Sequence, residues 1–205
     1  MTDKKDKFKD PQLAINRVYT GAGDRRKTKL VGGQKVEKSH LRISTYGTVD
    51  ELNVLVGAAR QTIADQYPAH RAFQKLSTHL LKVQHQLFNL GSILATLPQD
   101  VGDQMPRVTD DDIERLEDLI DEYNEHCPPL RSFVLPGGTR LNVELHQART
   151  VCRRAERRVV ALAQEEKVDL ATIAYLNRLS DAFFVWSRWA VIEAEVPEVL
   201  WDPNA

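Results

Sequence analysis

An arginine-rich stretch in the second half of the chain has the composition of an anion-binding site. Residues 151–158 read VCRRAERR, and Arg149 brings the count to five arginines within ten residues. On a helix, Arg149, Arg153 and Arg157 share one face because they repeat every four residues, and Glu156 lies beside them. The planar guanidinium group makes forked contacts with phosphate or carboxylate. The stretch therefore indicates either an anion site whose arginines Glu156 orients or an exposed charged face of a helix.

A glycine-rich basic segment near the N-terminus could also hold an anion. Residues 19–28 read YTGAGDRRKT. Glycine allows close approach of the backbone to a ligand, and successive N–H groups can form an anion-binding nest. The P-loop pattern GxxxxGK[ST] is rejected, because it requires glycine where Arg26 stands and a strand before and a helix after the loop. The segment is then either an anion-binding nest or a flexible basic loop.

Two shorter motifs combine polar residues with apolar helix stripes. From the motif YGTVDELN onward, Tyr46, Asp50, Asn53 and Gly57 line up on one helix face. Asp50 is therefore either a surface residue or the partner of a buried arginine. In the motif LNRLSD, Asn177 either faces solvent or binds a hydroxyl or phosphate group of a ligand.

Several function classes are excluded by composition and by missing motifs. The chain has 28 Lys and Arg against 29 Asp and Glu, which argues against general attraction to polyanions. The six histidines show no HExxH spacing, and ExxH occurs once, at Glu37–His40, before the first helical stripe. A di-iron bundle carries that motif on two of its helices, so zinc and di-iron signatures are missing. Cys127 and Cys152 are too few for a disulfide framework, and Cys152 lies on an apolar stripe as inert packing.

Membrane and secreted classes are excluded in the same way. No stretch approaches the roughly 20 apolar residues of a membrane span. The first ten residues, MTDKKDKFKD, lack the apolar run of a signal peptide. We therefore expect a cytoplasmic protein that does not bind membranes.

Five helices are predicted to position these motifs. Apolar residues three and four apart form stripes over residues 49–63, 73–94, 113–123, 141–162 and 176–190. Thr109 or Asp110 suits the N-cap of the third helix, and Asp169 suits that of the fifth. Because no alternating strand pattern occurs, we expect an all-α, five-helix bundle. The predicted organisation is a disordered tail (1–14), a glycine-rich basic segment (15–40), the helical bundle (41–195) and a C-terminal tail (196–205).

Together, and in this order, the motifs resemble those of the trimeric, PduO-type ATP:corrinoid adenosyltransferases. The matching stretches are YTGAGD, KTKLVGG with Lys38, YGTVDELN, SFVLPGG, CRRAERR and LNRLSD, which span residues 19–181. The resemblance implies a homotrimer with an active site at each subunit interface. There, the cobalt of cob(I)alamin or cob(I)yrinic acid a,c-diamide would attack the 5′ carbon of ATP and release triphosphate, with Mg²⁺ required. It also implies a flavin reductase and a B12-dependent enzyme as further partners.

The resemblance assigns site residues position by position. Residues 15–40 become an N-terminal ATP-binding segment. ATP would contact Thr20, Gly21, Ala22, Gly23, Thr28, Lys29 and Lys38 from one subunit and Arg153, Arg154, Ala155, Glu156, Arg157 and Asn177 across the interface. The catalytic set would be Arg153, Arg149, Asp50 and Phe133. Asp50 would pair with Arg149 between subunits, and Phe133 would lie below the corrin and displace its lower axial ligand. No residue is assigned as a metal ligand.

One position departs from the family pattern. The family loop commonly reads TGDxGxT, and Arg26 stands where that loop has its second glycine. A residue with a Cβ is less able to adopt a positive φ. Arg25, Arg26 and Lys27 are therefore left out of the predicted ATP site.

Two other function classes compete with this interpretation. A nucleic-acid-binding helical bundle would use the arginine-rich helix on backbone phosphates, with affinity that falls steeply with salt. A purely structural, oligomerising bundle would make Arg153, Glu156 and Asn177 dispensable.

Overall fold

The apolar stripes of the sequence are the buried faces of five α-helices. The computed structural model describes Gly21 and residues 23–205. Within them lie α1 (Leu41–Gln66), α2 (Arg71–Leu94), α3 (Asp110–Asn124), α4 (Arg140–Glu165) and α5 (Leu170–Glu193), and a short 3-10 turn, Pro98–Asp100, follows α2. The prediction of an all-α, five-helix bundle is confirmed. The predicted tail at residues 1–14 lies outside the described residues.

Side chains at the helix ends explain where the helices begin. The Thr139 hydroxyl accepts a hydrogen bond from Asn142 N at 3.1 Å, and an Asp169 carboxylate oxygen accepts one from Ala171 N at 3.1 Å. These bonds satisfy N–H groups that have no partner within the helix. At α3 the N-cap is Thr109, whose N–H donates to the Asp112 carboxylate at 3.2 Å. Of the two predicted candidates, Thr109 rather than Asp110 is therefore the N-cap of this helix.

Helix α4 lies at the centre of the packing. It contacts α1 on one side and α5 on the other, while α1 also packs on α2 and α3 on α5. The core contains large, fully buried side chains such as Phe73, Tyr175 and Trp186. Burial of a large apolar side chain contributes about 1.5–3 kcal/mol, so these helices are held mainly by their apolar faces.

A chain of hydrogen bonds links α2, α3 and α5 inside the bundle. Tyr175 Oη donates to Gln86 Oε1 at 2.8 Å, and Gln86 Nε2 donates to Asp112 Oδ1 at 2.6 Å. At the C-terminal end of α2, the buried Arg42 donates to Leu94 O at 2.8 Å and forms an ion pair with Glu166. The helices are therefore joined by polar as well as apolar contacts.

The N-terminal segment contains a β-hairpin that the sequence did not predict. Strands β1 (Lys27–Lys29) and β2 (Lys35–Glu37) pair antiparallel, with Thr28 opposite Val36. Gly33, at φ 85°, forms the turn and donates to Leu30 O at 2.9 Å. Strands of three residues are too short to show an alternating pattern, which explains why the sequence showed no sign of them. The hairpin places its lysines on one exposed surface beside the end of α2, where Val31 N donates to Ala95 O at 3.1 Å.

The C-terminal segment after α5 folds back onto the loop between α3 and α4. Leu135 N donates to Val199 O at 2.8 Å, and Trp201 N donates to Phe133 O at 2.7 Å. Val134 and Leu200 form an isolated antiparallel bridge. The pairing gives the Phe133 loop a backbone partner. In the described part of the chain, no helix is long and apolar enough to span a membrane.

Candidate functional site

The glycines and lysines of the N-terminal segment surround one cavity. Its volume is 800 Å³, and its lining includes four predicted ATP contacts, Gly21, Gly23, Thr28 and Lys29. Lys38 also lies at this site, since a Cβ added to Gly23 would come within 3.2 Å of Lys38 Nζ. The cavity thus combines close backbone approach with positive charge. The predicted contacts Thr20 and Ala22 lie outside the described residues.

Three more cations line the same cavity. They are Arg25, Lys27 and Lys35. Arg25 and Lys27 were left out of the predicted site because Arg26, between them, stands where the family loop has a glycine. Lys35 could not be predicted from the sequence, because only the hairpin brings it opposite Lys29. The hairpin therefore concentrates more positive charge on the cavity than the family motif alone indicates.

Arg26 adopts the conformation that the sequence made improbable. Its φ is 66°, in the left-handed region, and its carbonyl accepts a hydrogen bond from Lys38 N at 2.8 Å. A residue with a Cβ is less able to adopt a positive φ, but Arg26 adopts it here. The left-handed conformation costs a residue with a Cβ about 1–2 kcal/mol. The hairpin overrides this cost, so the loop keeps the path that a glycine would take.

The arginines of α4 divide into two groups with different partners. Arg154 pairs with Glu51 of α1, and Arg158 donates to Ser44 Oγ at 2.9 Å. Arg153 and Arg157 are exposed and form no ion pair with any described residue. Between the groups, the Ala155 side chain is fully buried in the core. The structure therefore separates arginines that hold α4 on α1 from arginines available to a ligand.

Glu156 and Asn177 form a polar pair beside the available arginines. Asn177 Nδ2 donates to Glu156 Oε1 at 3.1 Å, which links α4 to α5. This contact brings together two predicted site residues that are 21 positions apart. A carboxylate next to Arg153 and Arg157 can orient guanidinium groups for a forked contact.

Arg149 and Asp50 do not meet within one chain. Asp50 is exposed on α1, in a groove of 290 Å³ between α1 and α2. Arg149 is half-buried on α4, and among the described residues it pairs with no carboxylate. Partial burial, followed by the charge of Arg153, lowers the pKa of Arg149. The environment of this guanidinium thus lacks the negative charge that would normally balance it.

Phe133 is prominently exposed on the loop that the C-terminal segment supports. Its side chain is 78% exposed, and its ring lies 6.2 Å from that of Trp201 in an edge-on arrangement. Arg188, which is almost fully buried, binds both Glu198 carboxylate oxygens at 2.8 and 2.9 Å and Pro128 O at 2.8 Å. One arginine therefore ties the beginning of the loop to the C-terminal segment. Trp201 carried no sequence signal, because its position depends on a contact across 68 residues.

The two halves of the predicted ATP site are separate within one chain. In the part of the chain that the structure describes, no hydrogen bond or ion pair joins the N-terminal cavity to Arg153, Arg157 or Asn177, and none of these three lines the cavity. The structure thus brings together each half of the site but not the whole site. It also shows no group of three metal-binding side chains among the described residues.

Comparison with known proteins identifies the family to which these motifs belong. The family model described as cobalamin adenosyltransferase matches residues 18–190. The chain belongs to this family. It is 39% identical over 189 residues to the corrinoid adenosyltransferase of Bacillus subtilis, covering 92% of this chain and 94% of that protein. The corrinoid adenosyltransferase of Mycobacterium leprae is 40% identical over 198 residues, or 94% of this chain and 98% of that one.

Solved structures agree with this membership. A phenylalanine-to-alanine variant of the PduO-type ATP:corrinoid adenosyltransferase of Lactobacillus reuteri, complexed with cobalamin and ATP, superposes with a TM-score of 0.83. It is 37% identical, with 90% of this chain and 99% of that chain covered. An arginine-to-lysine variant complexed with ATP superposes with a TM-score of 0.82 at 36% identity, over 90% of this chain and 100% of that chain. The adenosyltransferase fold therefore extends over nearly the whole described chain.

Proposed function

We propose that the protein transfers the 5′-deoxyadenosyl group of ATP to cob(I)alamin or cob(I)yrinic acid a,c-diamide and releases triphosphate. The observation that carries this proposal is the Glu156–Asn177 pair beside Arg153 and Arg157, whose exposed guanidinium groups have no ion-pair partner among the described residues. Such a group is built to receive an anion. The cationic cavity of the hairpin supplies the complementary half.

The reaction needs charge stabilisation from the protein rather than a protein nucleophile. Cobalt(I) attacks C5′, the cobalt–carbon bond forms, and the C5′–O bond breaks with its electron pair leaving on triphosphate. Lysines and arginines directed at the leaving group stabilise the negative charge that develops there. Cys152 is excluded as a nucleophile, because burial raises the pKa of its thiol and its Sγ donates to Leu176 O at 3.1 Å.

Magnesium would reach this site on the nucleotide. Mg²⁺ in nucleotide sites is usually held by phosphate oxygens, waters and one or two carboxylates. The described residues fit that mode and not an all-protein cage, because they contain no cluster of three ligating side chains. Glu156 is the carboxylate closest in the chain to the available arginines. When bound, Mg²⁺ would neutralise part of the charge on triphosphate.

We place the complete site between subunits of a homotrimer. In this arrangement Asp50 of one subunit pairs with Arg149 of the next, which supplies the carboxylate that Arg149 lacks among the described residues of its own chain. The α1–α2 groove that contains Asp50 also exposes Val31 and Phe88, at 63% and 71%. Burial of these apolar side chains would stabilise a contact at the same face. The hairpin adjoins this groove, so a neighbour docked there would bring α4 toward the ATP cavity.

Phe133 and its support would form the corrin side of the site. An exposed aromatic ring on a loop fixed by hydrogen bonds can act as a wedge that displaces a lower axial ligand. A cobalt(II) ion without that ligand is easier to reduce, since axial ligation sets the potential of a metal in a macrocycle.

The reaction needs reducing conditions, and both cysteines are free in the described structure, which supports a cytoplasmic location.

The test is an anaerobic assay with ATP, Mg²⁺ and pre-reduced cob(I)alamin, followed by the corrinoid spectrum. We expect conversion to adenosylcobalamin by the wild type, and a loss of at least about a hundredfold in kcat/KM for Arg153→Ala and Asn177→Ala. Arg71→Ala, which removes an exposed arginine at the start of α2, is the matched control and should keep full activity.

The same variants separate this proposal from the alternatives. A nucleic-acid-binding bundle would show no corrinoid conversion and a salt-dependent affinity for DNA or RNA that Arg153→Ala weakens. A structural bundle would tolerate both substitutions. Full activity of folded Arg153→Ala and Asn177→Ala would contradict the assignment of the ATP site.

A further inference from the structure

His146 is a buried histidine of α4 that contacts Arg149 of the proposed site. It is 3% exposed and lies on α4, three residues before Arg149. Its Nδ1 is 3.3 Å from Arg149 Nε, and its Nε2 is 3.2 Å from Ser187 Oγ on α5. The ring therefore lies between an arginine of the proposed site and the neighbouring helix.

The contacts determine which ring nitrogen carries the hydrogen. Arg149 Nε can only donate, so Nδ1 must be unprotonated. Ser187 Oγ already donates its hydrogen to Phe184 O at 2.7 Å, so it accepts from His146 Nε2–H. The ring is therefore neutral, with its hydrogen on Nε2. Burial and the Arg149 guanidinium lower the pKa of His146 to about 4, outweighing the opposite effect of Glu198, which agrees with this tautomer.

The same contacts connect Arg149 to the loop that carries Phe133. Asn142, one turn before His146, donates to Ser187 O at 2.8 Å and accepts from Gly137 N at 2.8 Å. The Ser187 region thus anchors both the imidazole and the end of the Phe133 loop. A displacement of the imidazole would release Arg149 from this anchor, because no other described residue hydrogen-bonds its side chain.

We propose that His146 is a positioning residue, whose Nδ1 lone pair holds the Arg149 guanidinium in the orientation that the interface site requires. Orientation matters here because Arg149 has no carboxylate partner among the described residues of its own chain and, in the proposed trimer, meets one across the interface. A misplacement of about 1 Å in such a site can cost about a hundredfold in rate. This inference rests on the proposed function.

Two substitutions separate the hydrogen bonds on the two sides of the ring. The side-chain oxygen of Asn lies at nearly the distance from Cα that Nδ1 has, whereas the amide nitrogen of Gln lies near the position of Nε2. His146→Asn therefore keeps an acceptor for Arg149, and His146→Gln keeps a donor for Ser187. We expect kcat/KM for cob(I)alamin to stay within about threefold of wild type in His146→Asn and to fall about ten- to a hundredfold in His146→Gln.

A double-mutant cycle distinguishes positioning from a structural role. In an Arg149→Lys background, His146→Gln should cost less than about twofold, because the contact it removes is already lost. His79→Gln, at a half-buried histidine of α2, is the control and should leave kcat/KM unchanged in both backgrounds. Circular dichroism and thermal unfolding confirm that each variant folds.

Each outcome decides the inference. An equal loss from His146→Gln in both backgrounds, or a larger loss in His146→Asn than in His146→Gln, would overturn it while leaving the proposed function intact. A His146→Gln variant that does not fold would also overturn it, since the ring would then be a structural requirement. If the wild type does not convert cob(I)alamin, both the inference and the proposed function fail.

Discussion

Removal of the Glu198 carboxylate tests how the C-terminal segment is held. Arg188 and Glu198 form a two-point ion pair at 2.8 and 2.9 Å, and their side chains are only 4% and 13% exposed. The hydrogen bonds to Glu198 raise the pKa of Arg188, so the guanidinium stays charged. In Glu198→Ala, that buried charge would keep only its bond to Pro128 O.

The expected cost follows from this burial. Breaking a buried ion pair by removing one partner typically destabilises a protein by about 3–5 kcal/mol. Because Glu198 keeps some contact with solvent, we expect a loss of about 3 kcal/mol in the free energy of unfolding. For a chain of this length, that corresponds to a decrease in Tm of about 6–12 °C.

Urea and thermal unfolding measure this cost against a matched control. Arg178 Nε and Glu117 Oε1 are also 2.8 Å apart, but their side chains are 36% and 48% exposed. Glu117→Ala should therefore change the free energy of unfolding by at most about 1 kcal/mol. If the two variants lose the same small amount, burial does not strengthen the Arg188–Glu198 contact as described, and the reasoning is refuted.

Three further predictions concern the loops of the site. Arg26→Gly should stabilise the protein by about 0.5–1 kcal/mol in urea unfolding. Glycine removes the steric cost of the left-handed conformation, and this gain exceeds the loss from the greater entropy of the unfolded chain. Destabilisation would contradict this prediction. Gly138→Ala should destabilise by about 1–3 kcal/mol, because φ is 84° and a Cβ would lie 3.1 Å from Val196 Cγ1; an unchanged Tm would refute it. Phe133→Ala should keep its stability within about 0.5 kcal/mol but lose activity selectively when cob(II)alamin must be reduced on the enzyme. An equal loss with pre-reduced cob(I)alamin would exclude the wedge role.

The helices could be predicted because their signal is local and long. The stripe from Phe73 to Leu94 repeats through all of α2, and burial of every member confirms it. Cap residues such as Asp169 also marked where helices begin, because a capping side chain accepts a hydrogen bond from a backbone N–H in the first turn that follows it.

The hairpin and the C-terminal pairing could not be predicted, for a different reason. Three-residue strands carry no periodicity, and the contact of Trp201 with Phe133 depends on how α5 returns the chain to the loop. Arg26 shows the same limit in a single residue, because its own preference disfavours the φ that the hairpin imposes. Long-range contacts determine these features. The local conformational preferences of the residues either disfavour them or give no indication of them.

Most residues of the candidate site were predicted from the family motifs and not from the chemistry of the residue types alone. The arginines of α4 alone left an anion site and a solvated face equally open. The structure added the division between Arg154, which pairs with Glu51, and Arg153, which forms no ion pair with a described residue. It also added His146, which lacked any ligand spacing and gains a role only through the position of Ser187.

Subunit complementation tests the central claim most directly. Lys38→Ala removes a cation from the hairpin half of the site, and Arg153→Ala removes one from the α4 half. The two variants are co-expressed with different affinity tags, and doubly tagged trimers are assayed for adenosylcobalamin formation. If each site combines the hairpin of one subunit with α4 of the next, every mixed trimer keeps one interface with both halves intact. We predict recovery of about one third of wild-type activity per trimer, from variants that are each nearly inactive alone. Mixed trimers as inactive as the separate variants would contradict a site shared between subunits.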